Sequence, residues 1–211
     1  DRGGEMDVYA FDTDTSAILS GGLVLTANFA AGQVRAFTTF LGIPTGVSGN
    51  PFVSGLSEAV HGVVDPGRFY MVADRTGNRV GVYQIGGVGT TTLAAVSGSP
   101  FAAGGTFTDV LALTEDGGLL VAANGDSRNL TVFQVDHSTG SLTSLLVQAP
   151  NALGTTGRIV GLAFAPRISG FVYALREVAG GPNQIYGFQL DPTTAVLTLL
   201  PGFPIASGGV G

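Results

Sequence analysis

Four short segments of the same character recur along the chain and decide its fold: LVLTAN (23–28), FYMVAD (69–74), LLVAAN (119–124) and FVYALR (171–176). Spacings of 46, 50 and 51 residues separate the alanines that align in them, Ala27, Ala73, Ala123 and Ala174. Each segment is rich in aliphatic, β-branched or aromatic residues, which favour strands. A fixed order of such motifs at this period predicts a repeat protein whose unit is a small β-sheet.

Other motifs complete the unit around each of these segments. Runs with alternating character follow them after polar turns, namely QVRAF (33–37), RVGVY (79–83), NLTVF (129–133) and QIYGF (184–188). Apolar runs without strict alternation precede three of them: AVHGVV (59–64), DVLALT (109–114) and IVGLAFA (159–165). A strand covered on both faces has that composition, so we expect these runs to be the innermost strands of the sheets. The motifs VSGNPF (47–52) and VSGSPF (96–101) contain proline, which places them at an outer edge or in a connection.

The predicted fold class is all-β, a β-propeller of about four, at most five, four-stranded antiparallel blades. These blades either close a small ring or form an open or partial ring, which a second copy or a larger chain would complete. One domain covers 1–211, with approximate units 5–56, 57–105, 106–156 and 157–211. A single blade exposes two apolar faces and needs stacked neighbours, which favours a propeller over a β-sandwich. Residues 6–14 fit an inner strand, whereas residues 8–19 also fit the third and fourth strands of a blade; we favour the inner strand.

Composition excludes several classes of function. Only 11% of the residues are charged, the formal net charge is −6, and all nine basic residues are arginines scattered along the chain. Nucleic-acid binding depends on clustered positive charge, so we predict none. No cysteine is present, and no apolar run is long enough for a membrane span. We predict no metal site and no cofactor.

Three stretches together resemble a known family: GRFYMVADRTGNRVGVYQI (67–85), SGSPFAAGG (97–105) and LTVFQVDHSTGSLTSL (130–145). They are similar to the repeat unit of the YVTN-type, lactonase-like β-propellers, and the likeness covers most of residues 22–211. The resemblance implies the blade type. It also implies a choice of activities, because 6-phosphogluconolactonases, muconate cycloisomerases and surface proteins share this superfamily, and a fold does not by itself carry a function.

The enzymatic members imply particular site residues. Their inner-strand histidine corresponds to His61, which precedes a turn that is one residue shorter than in the family pattern. Their Gly-Pro-Arg-His motif is replaced by Ile159, Val160 and Gly161, with Arg158 close by but out of register. Their Asn-Glu pair is represented by Arg176 and Glu177, which keeps only the glutamate. His61, Glu177 and Arg158 are therefore the weak catalytic candidates.

These departures favour a non-enzymatic binding or scaffold module that is extracellular, periplasmic or on the cell surface. Its strand-end loops would meet a protein or glycan partner or a second copy of the chain, through the predicted binding residues Arg75, Arg79, Arg128, Arg176 and Glu177. The first alternative is a lactonase-like or cycloisomerase-like enzyme in which His61 and Glu177 are acid–base groups and Arg158 holds a carboxylate. The second is a structural subunit of a filament or a larger assembly.

Overall fold

A computed structural model describes residues 6–11, 23–28, 32–40, 43–52, 54–66, 68–86, 92–149, 151–165 and 170–210. These residues form four antiparallel sheets in which consecutive strands are neighbours. The first sheet contains β1 (Met6–Phe11), β2 (Leu23–Asn28), β3 (Gln33–Phe40) and β4 (Ile43–Gly46). The second contains β5 (Ala59–Val64), β6 (Phe69–Asp74), β7 (Arg79–Gly86) and β8 (Thr92–Ala95), and the short β9 (Phe101–Ala102) pairs with β7.

The other two sheets repeat this plan. The third contains β10 (Thr108–Leu113), β11 (Leu119–Asn124), β12 (Asn129–Val135) and β13 (Leu142–Val147). The fourth contains β14 (Arg158–Phe164), β15 (Phe171–Glu177), β16 (Pro182–Leu190) and β17 (Leu197–Leu199), and β18 (Ile205–Val210) pairs with β16. None of the elements described is a helix long and apolar enough to span a membrane.

Successive sheets stack through alternating residues of their second strands. We call the side of a sheet that meets the following sheet its outgoing face, and the opposite side its incoming face. Three buried clusters join the sheets in turn. They bring together, for example, Leu25 with Val72, Met71 with Ala122, and Val121 with Ala174. The period-2 alternation of a strand therefore supplies one set of side chains to each neighbouring blade.

The alignment of the fourth alanine is wrong by one residue. Ala27, Ala73 and Ala123 face the following sheet, whereas Ala174 faces the preceding one. The equivalent residue of the fourth sheet is therefore Leu175, because side chains alternate between the two faces of a strand.

The first strands of the sheets lie innermost, as the sequence predicts. Contacts run from β1 to β5, from β5 to β10 and from β10 to β14, so the sheets follow one another around an axis. The described part of the chain does not form a closed ring. This arrangement confirms the β-propeller prediction.

The expectation that the inner strands are covered on both faces is wrong for β5 and β14 but fits most of β10, in which four of six residues are buried. The most buried strands are the second ones, β6 and β11, in which every residue is buried. The inner strands β5 and β14 are only partly covered. An inner strand borders the axis and has no strand beyond it, whereas a second strand is enclosed by strands on both sides and by sheets on both faces.

The start of the chain fits the favoured interpretation. β1 pairs in register with β2, from Met6 with Asn28 to Phe11 with Leu23, so it is the first strand of the first sheet. The competing assignment of residues 8–19 to third and fourth strands is wrong for residues 8–11, and residues 12–19 lie outside the described residues.

The proline motifs close the outer edge. The side chain of Asn50 accepts a hydrogen bond from the Ala36 amide at 3.0 Å, and Ser99 accepts one from the Val82 amide at 2.8 Å. Beyond each proline the chain returns to the start of the third strand, where Phe52 bridges Val34 and β9 pairs with β7. The motif recurs because each copy satisfies third-strand amides that the short fourth strand leaves without partners.

Candidate functional site

One end of the propeller gathers most of the candidate residues. The antiparallel register places the starts of the inner strands beside the turns that follow β6, β11 and β15. We call this end the mouth.

A cluster of charged side chains joins three sheets at the mouth. Asp109, at the start of β10, accepts a hydrogen bond from Arg75 Nε of the second sheet. Its other carboxylate oxygen lies 2.9 Å from Arg158 Nη2 of the fourth sheet. Arg158 Nε also lies 3.1 Å from Oδ1 of Asp126, in the turn after β11. We call Arg75, Asp109, Asp126 and Arg158 the mouth cluster.

Both arginines of the cluster lie over one aromatic ring. The guanidinium carbon of Arg158 is 4.0 Å from the centroid of the Phe107 ring, and that of Arg75 is 5.3 Å away. Phe107 adopts a φ of 65°, and its backbone amide donates a hydrogen bond to Asn78 Oδ1 at 2.6 Å. A non-glycine residue held in this region is uncommon and is found where function or packing requires it.

The carboxylate of the cluster is buried, whereas the cations reach solvent. The Asp109 side chain is 6% exposed, that of Arg75 is 23% and that of Arg158 is 41% exposed. Burial raises the pKa of Asp109, and the hydrogen bond from Arg75 opposes that increase. The buried carboxylate of Asp109 therefore holds two guanidinium groups in place. The sides of these groups that face the solvent can bind an anion or a carbonyl oxygen.

His61 lies on β5 and bridges two inner strands. Its Nδ1 accepts a hydrogen bond from the Leu111 amide of β10 at 3.3 Å. Burial lowers the pKa of His61 to about 4, so the ring is neutral at pH 7. Nδ1 already accepts a hydrogen bond from a backbone amide of the next blade. It therefore cannot also accept a proton from a substrate or a water molecule as a catalytic base would.

The neighbouring candidates Arg176 and Glu177 have opposite environments. Glu177 is exposed at the end of β15, where its Cα pairs with that of Arg158. Arg176 is 8% exposed. Its guanidinium donates to Leu153 O at 2.9 Å and to Gln184 Oε1 at 2.8 Å, and it lies 5.8 Å from the Tyr186 ring centroid. Arg176 therefore stabilises the stack of the third and fourth sheets.

Arg79 and Arg128 each make hydrogen bonds from the turn between the second and third strands of a sheet to the segment that connects two sheets. Arg79 pairs with Asp74 at 2.8 Å and reaches the carbonyl of Gly55 at 3.3 Å. Arg128 donates to Asn151 Oδ1 at 2.9 and 2.5 Å and to the carbonyl of Gly157 at 3.3 Å. Of the predicted residues, the mouth cluster unites only Arg75 and Arg158.

Sequence reasoning missed Asp109, Asp126 and Phe107. One signal was present, because Asp109 stands directly before a buried apolar run, where an uncompensated charge would be costly. The described residues contain no group of histidine and acidic side chains that could hold a metal ion.

A cavity of about 670 Å³ lies between the third and fourth sheets at the end opposite the mouth. Leu119, Phe164 and Leu190 contribute apolar surface, and Glu115 and Asp116 contribute carboxylates. Hydrogen bonds from Thr114 and Gly118 lower the pKa of Asp116. The charges described there would repel an anion, so the cavity and the mouth suit different ligands.

Comparison with known proteins assigns the family. The family model of the seven-bladed β-propeller lactonases matches residues 23–153, and the chain belongs to this family. The periplasmic gluconolactonase PpgL of Pseudomonas aeruginosa is 19% identical, with a TM-score of 0.73 over 90% of this chain and 55% of that protein. A candidate 6-phosphogluconolactonase of Bacteroides fragilis is 19% identical, with a TM-score of 0.71 over 94% of this chain and 55% of that one.

A protein from Lactobacillus plantarum is 18% identical, with a TM-score of 0.68 over 88% of this chain and 54% of that one. At such identities these likenesses show the fold alone. This chain thus spans about half the length of the solved structures that it resembles. A search of curated proteins gave no match.

Proposed function

We propose that the protein is a lactonase-like propeller that binds an anionic sugar lactone at its mouth and promotes its hydrolysis. The mouth cluster is the observation that carries this proposal, because it presents two guanidinium groups fixed by a buried carboxylate. Membership of the lactonase propeller family supports it. The lactonase alternative thus has better support than the scaffold interpretation.

Each residue of the cluster has a role in this proposal. Hydrolysis adds water to the lactone carbonyl and breaks the bond from the acyl carbon to the ring oxygen. The proton removed from the water is delivered to the departing ring oxygen, giving a hydroxy acid. Arg158, assisted by Arg75, would stabilise the negative charge that develops on the carbonyl oxygen and the charge of the carboxylate product. This is the electrostatic stabilisation that an oxyanion hole provides. Asp109 is a positioning residue, since it holds both guanidinium groups from below.

Glu177 is the residue that we assign as proton acceptor for the attacking water. It is exposed and opposite Arg158 in the β14–β15 ladder, whereas His61 is engaged between inner strands. General-base assistance by a positioned carboxylate contributes about 10² to 10⁴-fold to a rate.

The binding and scaffold role has weaker support. Arg79, Arg128 and Arg176 hold the structure together, so the strand-end loops offer fewer cations to a partner than the sequence predicts. The protein or glycan partner and the extracellular or periplasmic location stay predictions.

Replacing Arg158 by alanine should strongly reduce the proposed activity. The test is titration of the acid released from glucono-δ-lactone and from its 6-phosphate, each corrected for spontaneous hydrolysis. The wild-type chain should exceed the spontaneous rate, and Arg158→Ala should lower kcat/KM by about 100-fold, the loss typical of one oxyanion donor. Arg158→Lys should restore part of the rate because it keeps the charge without the planar fork.

Glu115→Gln, at the opposite end of the sheets, is the matched control and should leave the rate unchanged. A wild-type rate equal to the spontaneous rate for both lactones would refute the proposal, as would an Arg158→Ala variant as active as wild type.

A further inference from the structure

The cavity at the end opposite the mouth lies between the outgoing face of the third sheet and the incoming face of the fourth. Its volume of about 670 Å³ is within the range of about 300–1,000 Å³ that small-molecule sites have. Leu119 and Leu190, which are 8% and 2% exposed, supply buried apolar surface, and Phe164 adds a half-buried ring. The cavity therefore has the size and the apolar lining of a binding site.

The repeat identifies the residues that take the equivalent places between the second and third sheets. The turn between the first two strands is closed in the same way in both sheets. The Phe69 amide donates to Asp65 Oδ1 at 2.6 Å, and the Leu119 amide donates to Thr114 Oγ1 at 3.0 Å. Leu119 is thus the equivalent of Phe69, and Thr114 is the equivalent of Asp65. Both Leu119 and Thr114 line the cavity.

The turn between the third and fourth strands supplies another equivalence. Asp136 and Asp191 each begin this turn, and each carbonyl accepts the amide four residues later, at 2.7 and 2.8 Å. The residue after the aspartate is His137 in the third sheet and Pro192 in the fourth. Pro192 lines the cavity, in the place that His137 has at the preceding junction.

Two rings that occupy the preceding junction are thus replaced at the cavity. There the Phe69 ring lies so close to Gly140 of the third sheet that no Cβ would fit, and His137 Nδ1 lies 3.2 Å from Asp65 Oδ2. At the cavity leucine, proline and threonine stand in place of phenylalanine, histidine and aspartate. Side chains that line a void lose their dispersion contacts, so a ligand that supplies ring volume would restore them.

The wall from the fourth sheet favours an aromatic ligand. Phe164 pairs with Val172 as Leu113 pairs with Leu120 in the third sheet, so it is the equivalent of Leu113. The Phe164 ring lines the cavity. Aromatic rings gain from edge-to-face or offset contacts with a second ring, beyond the area that they bury.

The charges described around the cavity are negative. Among the lining residues that the structure describes, Glu115 and Asp116 are the charged ones. Asp116 is held in place, because its Oδ1 accepts the Gly118 amide at 3.0 Å. Hydrogen bonds from Thr114 and Gly118 lower the pKa of Asp116, so this carboxylate is ionised at pH 7 and can pair with a protonated amine.

We propose that this cavity binds a small aromatic cation, with the ring system between Leu119 and Phe164 and a protonated amine beside Asp116. Burial of the ring supplies most of the affinity. The ion pair is exposed to solvent and adds about two- to fivefold. The arginines of the mouth repel such a ligand, so the site is separate from the proposed lactonase site and does not depend on it.

Tryptamine is the probe that tests this proposal. It carries an aromatic ring system and an amine, and the chain has no tryptophan, so indole fluorescence anisotropy reports the probe alone as protein is added. Tryptophol replaces the amine by a hydroxyl group, and indole-3-propionate replaces it by a carboxylate. Tryptamine should bind with a Kd of about 0.1–1 mM. Its affinity should be about two- to fivefold higher than that of tryptophol, and the carboxylate should bind most weakly.

Variants test whether the probe occupies the cavity. Asp116→Asn should lower the affinity for tryptamine to that for tryptophol. The matched control is Asp136→Asn, which removes an exposed carboxylate from another turn of the third sheet, and it should keep the wild-type affinity. Leu119→Phe combined with Ala195→Gly reproduces the residue pair of the preceding junction and should abolish binding of all three probes.

Three results would overturn the proposal. One is the absence of tryptamine binding at about 1 mM protein, the upper end of the expected Kd. Another is indole-3-propionate that binds as tightly as tryptamine. The third is tryptamine binding that Asp116→Asn and the folded double variant both leave unchanged, because the probe would then occupy another surface. Asp116→Asn changes no core residue, so the charge comparison decides even where the double variant does not fold.

Discussion

Replacing His61 by asparagine is expected to remove most of the loss of stability that the protein suffers between pH 6.5 and pH 4. Burial lowers the pKa of His61 to about 4, whereas an unfolded histidine titrates near 6.5. As the pH falls through this window the unfolded state takes up a proton and the folded state does not, so the free energy of unfolding decreases by up to about 1.4 kcal/mol per pH unit. We expect a total decrease of about 2–3 kcal/mol from this residue.

Asparagine suits this test because its Oδ1 can accept the Leu111 amide in place of Nδ1. The variant should therefore match wild type at pH 7 and exceed it at pH 4.5 in urea unfolding. His137→Asn changes the other histidine of the sequence, which is half exposed and lies 3.2 Å from the carboxylate of the buried Asp65 rather than between inner strands. This variant should keep the part of the pH dependence that His61 causes. If wild type and His61→Asn lose stability in parallel, the histidine is not the source of the acid sensitivity.

The blades were predictable because their signals are local. Strand alternation, turn residues and the proline motif all lie within about 50 residues and recur, so each copy supports the assignment of the others. The prediction of β1 succeeded for the same reason, since MDVYAF resembles TDVLAL of β10.

The mouth cluster could not be predicted in this way. It joins Asp109 to Arg75 and Arg158, which are 34 and 49 residues away in the chain and belong to different sheets. No periodicity connects one blade to the side chains of the next. Only the stacking of complete sheets brings these residues together.

Arg176 shows a different limit of prediction from the sequence. The alternation of β15 places it on the same face as Val172 and Ala174, which pack against the third sheet. The pattern therefore indicated burial, but the position at a strand end suggested a solvent-exposed loop. The carbonyl of Leu153 and the side-chain amide oxygen of Gln184 accept hydrogen bonds from the guanidinium and allow the charge to be buried. Gln184 begins the predicted strand QIYGF, but the pattern gave no sign of this contact, and Leu153 lies outside every strand motif.

Replacing Asp74 by alanine is expected to cause the largest loss of stability among single changes in the turns. Its side chain is fully buried, and its Oδ1 accepts the amides of Ser57 and Glu58 at 3.0 and 2.8 Å. Its Oδ2 pairs with Arg79 Nη2 at 2.8 Å. Removal leaves two part-buried amides and a partly exposed guanidinium without their acceptor, which costs about 2–4 kcal/mol and should lower Tm by roughly 10 °C in a chain of this size.

Two further variants separate the causes of that loss. Asp74→Asn keeps an oxygen for the amides and loses the charge, so it should cost less than Asp74→Ala. Asp191→Ala removes an exposed carboxylate that also caps backbone amides, and its Tm should stay close to that of wild type. Because Asp74 connects the entry to β5 with the turn that carries Arg75, Asp74→Ala should also weaken the mouth cluster. Equal Tm values for Asp74→Ala and Asp191→Ala would show that the buried carboxylate does not organise this end of the propeller.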